Sequence, residues 1–381
     1  MALSNYYIKL KDHSGAVVAL FAGAGRAGGR GDLRALSYKK LLRYPGEWRL
    51  HIDGNDDRLP LFDYDYQVEF WRRDPVGGLA WYCDFEGFVR SLEFTQDEEG
   101  RDVFTAYGRG YNDLLTSEAV YSTSDSALAR KAGPAESVCK EFVNEGIGPG
   151  AGVDDLDLTR VRPGLTIEAD AATGAVWQGT GFQKNLLDVC VTLAEYAPAD
   201  YMIVGTGPAT FEFQWRAGQW GQDKTSGNGV RPPVVFAAQL GNATTMHYLL
   251  SRLEEVNVVY GLGSGVGAVR LLASSADAGA LAVSPWARRA VTRQMSNGAQ
   301  DLADCQLLGQ RFLAEQRARA QLTFVARQTA ATRYGRDWDW GDLVTALYTK
   351  TGLQADFKIV GVAVAVNAAG EETITPEVED A

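Results

Sequence analysis

The chain has little of what metal, redox or nucleic-acid chemistry requires. Its 381 residues include four cysteines, Cys83, Cys139, Cys190 and Cys305, spaced too widely to form the C-x-x-C pair of a local zinc or redox site. Four buried, reduced thiols are expected. Cations are in deficit: 37 Lys and Arg against 48 Asp and Glu give a formal charge of −11, whereas a phosphate-binding face needs a basic surplus. The only histidines are His13, His51 and His247, and none stands beside a nucleophile motif such as G-x-S-x-G. The start, MALSNYYIKLKDHSGAVV, lacks the apolar core of a signal peptide, and no run nears the ~18 apolar residues of a membrane span. Synthesis in a reducing cytoplasm is expected.

Glycine is abundant, with 42 residues, beside 46% apolar and 22% charged, a globular composition rich in tight turns. The length suits two or three domains. From residue 5 to about 117, short alternating runs (YYIKL, AVVALFA, EWRLHI, YQVEFW, LAWYCDF, FVRSLEF, DVFTAYG) recur between turns such as Asp53 to Asp56, Pro75 to Gly78 and Asp97 to Gly100, the spacing of a small antiparallel sandwich or barrel. Within this region only SYKKLLRYPG, residues 37–46, suggests a helical turn.

Residues 118–235 read as a mixed α/β domain. GPAESVCKEFVNEG places Pro134 at a helix start, Val138, Cys139 and Phe142 on one face and Gly146 as a stop. In NLLDVCVTLAEYA, the residues Leu186, Val189, Cys190 and Leu193 follow helical spacing. Strands YMIVG and TFEFQW follow. From 236 to 381, strands HYLLSRL, EEVNVVYGL, VGAVRLLASS and QLTFVARQ flank a helix near 299–318 that carries Leu302, Cys305, Gly309 and Phe312 on one stripe. A faint repeat links the ends: Asp84-Phe85-Glu86-Gly87 and Asp356-Phe357-Lys358 with Gly361 each lead into an alternating strand, a turn and a further strand.

Chemistry-bearing motifs have simpler readings. Gly23, Gly25 and Gly28 match G-x-G-x-x-G but run on into Gly29-Arg30-Gly31, and a helix opening there would lose ~1 kcal/mol per Gly; a loop is expected. Gly263-Ser264-Gly265 with Ala268 fails likewise, as VRLLASS reads as strand, and a glycine-rich hairpin is expected. Arg30-Gly31-Asp32 spells an adhesion tripeptide of a kind common by chance. Asp53, Asn55 and Asp57 have calcium-loop spacing, but Arg58 and Tyr64 occupy the positions of the required Gly and Glu, leaving Asx turn chemistry. Glu212, Asp337 and Asp339 lie near aromatics, as in a glycosidase, yet so do many solvated carboxylates.

YGRDWDWGDLVTALY, residues 334–348, presents two Trp between acids. In a strand, Trp338 and Trp340 would share one face, turned to the core, and Asp337 and Asp339 the other, with Gly341-Asp342 as a turn or bulge. The motif reads as architectural.

Asp339-Trp340-Gly341-Asp342-Leu343-Val344 with Val360-Gly361-Val362, and VEFWRR, FEGFV, Gly110-Tyr111-Asn112-Asp113-Leu114-Leu115 and Ala119-Val120-Tyr121, in this order, resemble the baseplate-hub, or tail-tip hub, proteins of long-tailed bacteriophages. The resemblance spans nearly the whole chain. It implies an α+β, β-rich fold with two tail-tube-like antiparallel β-barrel domains, residues 1–117 and 236–381, a mixed α/β domain at 118–235 between them and one helix packed near the second barrel. It also implies a homotrimer whose six barrels adapt a hexameric tail tube to the tip, with a distal tail or tail-tube protein above, tape-measure protein and tip fibre or receptor-binding proteins nearby, and genome DNA passing without specific binding. A peptidoglycan-cleaving domain of the kind some relatives carry is not expected before Ala381. No catalytic, cofactor-binding or metal-ligating residue is assigned. The acid surplus leads to one further expectation, that the wall facing the trimer axis is net negative. The competing reading is a carbohydrate-active or sugar-binding β protein.

Overall fold

The structure, a computed structural model, describes residues 2–23, 33–96, 100–120, 129–154, 156–181, 184–229, 232–265, 267–295, 302–348, 350 and 352–380. Gly25, Gly28, Arg30-Gly31-Asp32, Asp97-Glu98-Glu99 and Tyr121 lie outside the described residues. The chain forms two units: residues 1–247 with 323–379, and residues 248–322.

In the first unit, alternation of buried and exposed side chains produces strands β1 Tyr6–Lys11, β2 Val17–Ala22, β3 Leu33–Leu41, β4 Glu47–Asp53, β5 Gln67–Asp74, β6 Leu79–Gln96 and β7 Asp102–Gly110. SYKKLLRYPG is not helical: Leu36, Tyr38 and Lys40 turn inward from β3 at every second residue, and that period of two overrides the helical look of the Leu41-Leu42 pair. LAWYCDF and FVRSLEF are one strand, β6.

After the short helix α1 (Asp113–Thr116) come β8 Arg130–Pro134, α2 Ala135–Gly146, β9 Leu165–Ile167, β10 Val176–Thr180, α3 Leu186–Tyr196, β11 Ala199–Gly207, β12 Thr210–Ala217 and β13 Val235–Phe236. The Asn185 side chain caps α3 by accepting from Leu187 N at 2.9 Å. The expected helical stripes are buried: Val138, Cys139 and Phe142 share a core with Leu186, Val189, Cys190 and Leu193, and with Tyr201, Phe213 and Trp215 of the sheet. Phe88, Tyr111 and Phe211, with ring centroids 4.8 to 5.6 Å apart, join this layer to the first strands.

β14 (Ala243–Ser251) leads into the second unit, which holds β15 Val258–Leu262, β16 Leu272–Ala276, α4 Ala278–Ala282, β17 Ala290–Gln294 and α5 Leu302–Glu315. β15 pairs antiparallel with β16 and parallel with β17, and the glycines 263 and 265 lie in the β15–β16 connection, where Gly263 N donates to Leu271 O. Cys305, Leu313, Val259, Ala273 and Met295 form its core. The helix expected beside a second barrel therefore covers this small sheet, and Leu302, expected on its buried stripe, is 50% exposed.

The chain returns through β18 Arg319–Ala326, β19 Leu343–Tyr348, β20 Leu353–Val366 and β21 Glu372–Asp380. Two separate closed barrels are not formed. Instead 13 strands make one sheet, mostly antiparallel, with the path β14-β18-β21-β20-β3-β4-β7-β6-β5-β1-β2 and β19 and β13 branching from β20, and among the described residues that path does not close. The pair that makes the two halves one sheet, where two separate domains were expected, is β3 with β20, between the chain's two ends.

Each half of this sheet has the same plan. β3, β4, β5, β6 and β7 occur in that sequence order and stand in the sheet as first, second, fifth, fourth, third; β14, β18, β19, β20 and β21 do the same. The match extends to single hydrogen bonds. Val89 N donates to Tyr66 O at 2.8 Å and Val89 O accepts from Asp65 N at 2.9 Å, while Ile359 N donates to Asp342 O at 2.9 Å and Ile359 O accepts from Gly341 N at 2.7 Å. Asp65 and Gly341 both have positive φ, 63° and 84°. The repeat noticed in the sequence thus exists in the fold, but with a different alignment, because Phe85 pairs Phe70 where Ala355 pairs Ala346, placing Phe85 opposite Ala355 and not Phe357.

Candidate functional site

The two halves of the sheet meet at a seam. Residues Leu36 to Leu41 of β3 run antiparallel to Val366 to Gly361 of β20, and Leu42 N extends the ladder to Val360 O at 2.8 Å. A Cβ at Gly361 would stand 2.6 Å from Leu41 Cδ2 and 2.9 Å from Lys40 O, so the close approach of the strands needs glycine there.

Behind the seam lies a buried charge cluster. Lys40 Nζ donates to Asp84 Oδ1 at 2.9 Å, and Asp84 also accepts from Tyr38 at 2.5 Å and Tyr334 at 2.7 Å. Burial alone would raise the Asp84 pKa, but Lys40, Arg72 and the two hydroxyls outweigh it and hold the carboxyl below its usual range. Burial would likewise lower Lys40, and Asp339 and Asp84 more than reverse this. Arg72 adds ion pairs to Glu372 at 3.3 Å, and Arg333 to Asp74 at 2.7 Å. Tyr6 also donates to Glu372. Lys40 and Tyr38 bind Asp84 within the first half, while Tyr334–Asp84, Arg72–Glu372, Arg333–Asp74 and Tyr6–Glu372 each join an early strand to a late segment, so the cluster ties the two halves of the chain together.

The Trp-rich stretch is a pair of turns, not a strand. Asp337 accepts from Arg333 N at 2.7 Å, and Asp342 accepts from Asp339 N at 2.9 Å and Gln222 N at 2.7 Å while pairing with Lys224 at 2.9 Å. The acids thus hold backbone N–H groups that turns leave free, which is why strand alternation fails. Trp338 is fully buried against Phe236 and Tyr334; Trp340 is half-buried between Trp220 and Lys40. Gly341, at φ 84°, lets the loop meet Gly221, whose N would lie 2.7 Å from an added Cβ.

The acids weighed as a glycosidase pair are not brought together. Glu212 sits on β12 bound by Gln214 at 2.6 Å, and no described hydrogen bond or ion pair links it to Asp337 or Asp339. His13 contacts Tyr64 O and His51 contacts Thr105, neither a Ser nor a Cys nucleophile. Asp53 accepts from Asn55 N at 3.1 Å and Asp56 from Arg58 N at 2.9 Å, the local turn bonds expected. A cleft of about 280 Å³ is lined by Lys40, Asp84, Glu86, Met202, Asp339 and Trp340, but the Lys40 and Asp84 charges satisfy each other. Sequence reading missed Lys40, Tyr38 and Tyr334; a cation amid the alternating apolar residues of β3 was the available signal.

These features define a β-rich protein whose two ends share a sheet through a repeated strand plan. The fold is that of phage tail proteins: the tail protein from Neisseria meningitidis MC58 superposes with a TM-score of 0.57 at 13% identity, over 99% of this chain and 97% of that one. The prophage MuSo2 43 kDa tail protein from Shewanella oneidensis gives 0.58 at 11% identity over 98% and 96%, and prophage tail protein gp18 from Listeria monocytogenes EGD-e 0.53 at 10% over 99% and 95%. No curated protein matches the chain by sequence. The siphovirus ReqiPepy6 Gp37-like protein family matches residues 28–378. The chain belongs to this family of phage tail proteins.

Proposed function

We propose that the chain is the baseplate hub of a tail tip, a structural subunit without catalytic activity. Three copies form a ring in which six similar β modules, two per chain from the regions 1–117 and 236–381, adapt the hexameric tail tube to the tip, with the 118–235 domain set between them in sequence. The observation that supports this most is the shared strand plan of β3 to β7 and of β14 with β18 to β21, joined side by side through the β3–β20 seam. Two alike modules side by side are what a threefold particle needs to meet a sixfold tube.

In this reading the hub is made in the host cytoplasm and resides at the virion tail tip. A distal tail or tail-tube protein stacks above, tape-measure and fibre or receptor-binding proteins lie nearby, and the genome passes along the axis. In line with the net charge of −11, the axis-facing wall in this reading is net negative, so it holds DNA phosphates weakly and lets the genome slide. Sedimentation equilibrium of the purified chain tests the assembly: a mass of three 41.3 kDa chains supports it, and a stable dimer or tetramer contradicts it.

A further inference from the structure

We infer that the ring is closed by strand addition between copies, with β14 of one chain pairing antiparallel along Ser91–Gln96 of β6 in the next. This rests on the trimer reading above and specifies its interface.

Two equivalent strands are unequally paired. β6 and β20 hold the same position in their halves of the sheet, and the matched bonds at Val89 and Ile359 set them in register. Two residues beyond Ile359 begins the segment Gly361 to Val366, which carries β3 along one edge. Two residues beyond Val89 begins Ser91 to Gln96. That segment pairs with β7 on one edge only, while β5 reaches no further than Phe88; among the described residues its other edge has no strand partner. One module therefore has its docking position filled and the other has it open.

The strand that would fill it is also spare. β3, the occupant of the filled position, is the first strand of its module, paired on its other edge to β4. Its equivalent in the second module is β14, which ends the sheet path, paired to β18 and, among the described residues, to no strand on its far edge. β3 and β14 each span 9 residues. A free edge strand and a free edge are templates for pairing in general; here the chain's own seam supplies the register and direction. The open segment bears the signs of a surface meant to be covered. Phe94 is 68% exposed, and Leu249 of β14 is 42% exposed. Within one chain the β3–β20 seam joins the two modules; the same seam repeated between chains fills the open edges of every β6 and every β14 only when the ring closes.

By analogy with Leu36 opposite Val366 and Leu41 opposite Gly361, the start of β14 lies near Gln96 and its end near Ser91. The test is cysteine cross-linking of the full chain in a Cys83→Ser background, Cys83 being the native thiol that is not fully buried. Gln96→Cys combined in turn with Thr244→Cys, Thr245→Cys or Met246→Cys, and Ser91→Cys combined with Leu249→Cys, is expected to give disulfide-linked species of three chains on oxidation. The swapped pairs, Gln96→Cys with Leu249→Cys and Ser91→Cys with Thr245→Cys, are expected to give none. A trimer by sedimentation that forms no such link, or links only through the swapped pairs, overturns this interface and leaves the trimer standing. A chain that remains monomeric by mass and unlinked overturns both.

Discussion

Removing Asp84 should disrupt the charge cluster behind the seam, where Asp84 binds Lys40 and Tyr38 of its own half and Tyr334 of the other, and the structure sets the scale. Lys40 has a side chain only 10% exposed and Asp84 one that is fully buried, 2.9 Å apart. With Asp84→Asn the Tyr38 and Tyr334 hydroxyls keep an acceptor, but Lys40 keeps only one anion, Asp339, at 3.4 Å and 40% exposed, beside the Tyr334 hydroxyl at 3.2 Å. Breaking one side of a buried pair typically costs about 3–5 kcal/mol, because the remaining ion is left desolvated. Asp84→Asn should lie near the lower end of that range and Lys40→Met, which strands a carboxylate with only its two hydroxyl donors, near the upper end. The double variant Lys40→Met/Asp84→Leu removes both ions and should be less destabilised than either single, a coupling of at least ~2 kcal/mol. Arg34→Ala, which breaks the exposed Arg34–Asp53 pair, is the control and should cost under about 1 kcal/mol. Equilibrium urea unfolding followed by tryptophan fluorescence reads all four. Single-variant losses under ~1 kcal/mol, or an additive double variant, would refute the view that the buried Lys40–Asp84 pair anchors this cluster.

Trp338→Ala should lower stability by about 3–5 kcal/mol, and Trp340→Ala by less, as it is half-buried; an unchanged melt for both with loss of glycan binding would favour a sugar platform instead. Gly341→Ala should destabilise by at least ~1 kcal/mol, read in the same melts, since φ is 84° and Gly221 N leaves no room for a Cβ. For Glu136, burial favours protonation, but Lys140 and the donors of Thr173 and Ala171 prevail and lower its pKa to about 2. A depressed carboxyl pKa stabilises the fold above the unfolded-state value near 4.5 and that contribution, about 3 kcal/mol, is lost as pH falls toward 2; Glu136→Gln should flatten this acid limb of the stability profile. The purified chain titrated with duplex DNA at low salt should show no tight, salt-sensitive binding, and a basic axial wall in the assembled tip would contradict the sliding account.

How much of this was legible in the sequence depended on whether the determining contacts were local. The strands of the first region, the β15–β16 hairpin and helices α2 and α3 follow from period-two or helical spacing within a few residues. Lys40, Asp84, Tyr334 and Glu372 come from segments far apart in the chain, and no local pattern announces that they meet. The same holds for β3 and β20, whose pairing turned two expected barrels into one open sheet. The turns at 333–342 were misread as a strand because Trp and Asp alternate there, while the deciding bonds run from carboxylates to backbone N–H groups. Helix α5 was found correctly as a helix, but its partner sheet lies in the second unit, which spacing alone did not separate.

Electron microscopy of the assembled tail tip tests the central claim most directly. The account predicts a threefold ring at this position, each chain contributing two β modules that superpose through β3 to β7 and through β14 with β18 to β21, so that six modules surround the channel. A tip in which each chain places only one such module around the axis, or in which the chain stands outside the channel wall, would contradict it.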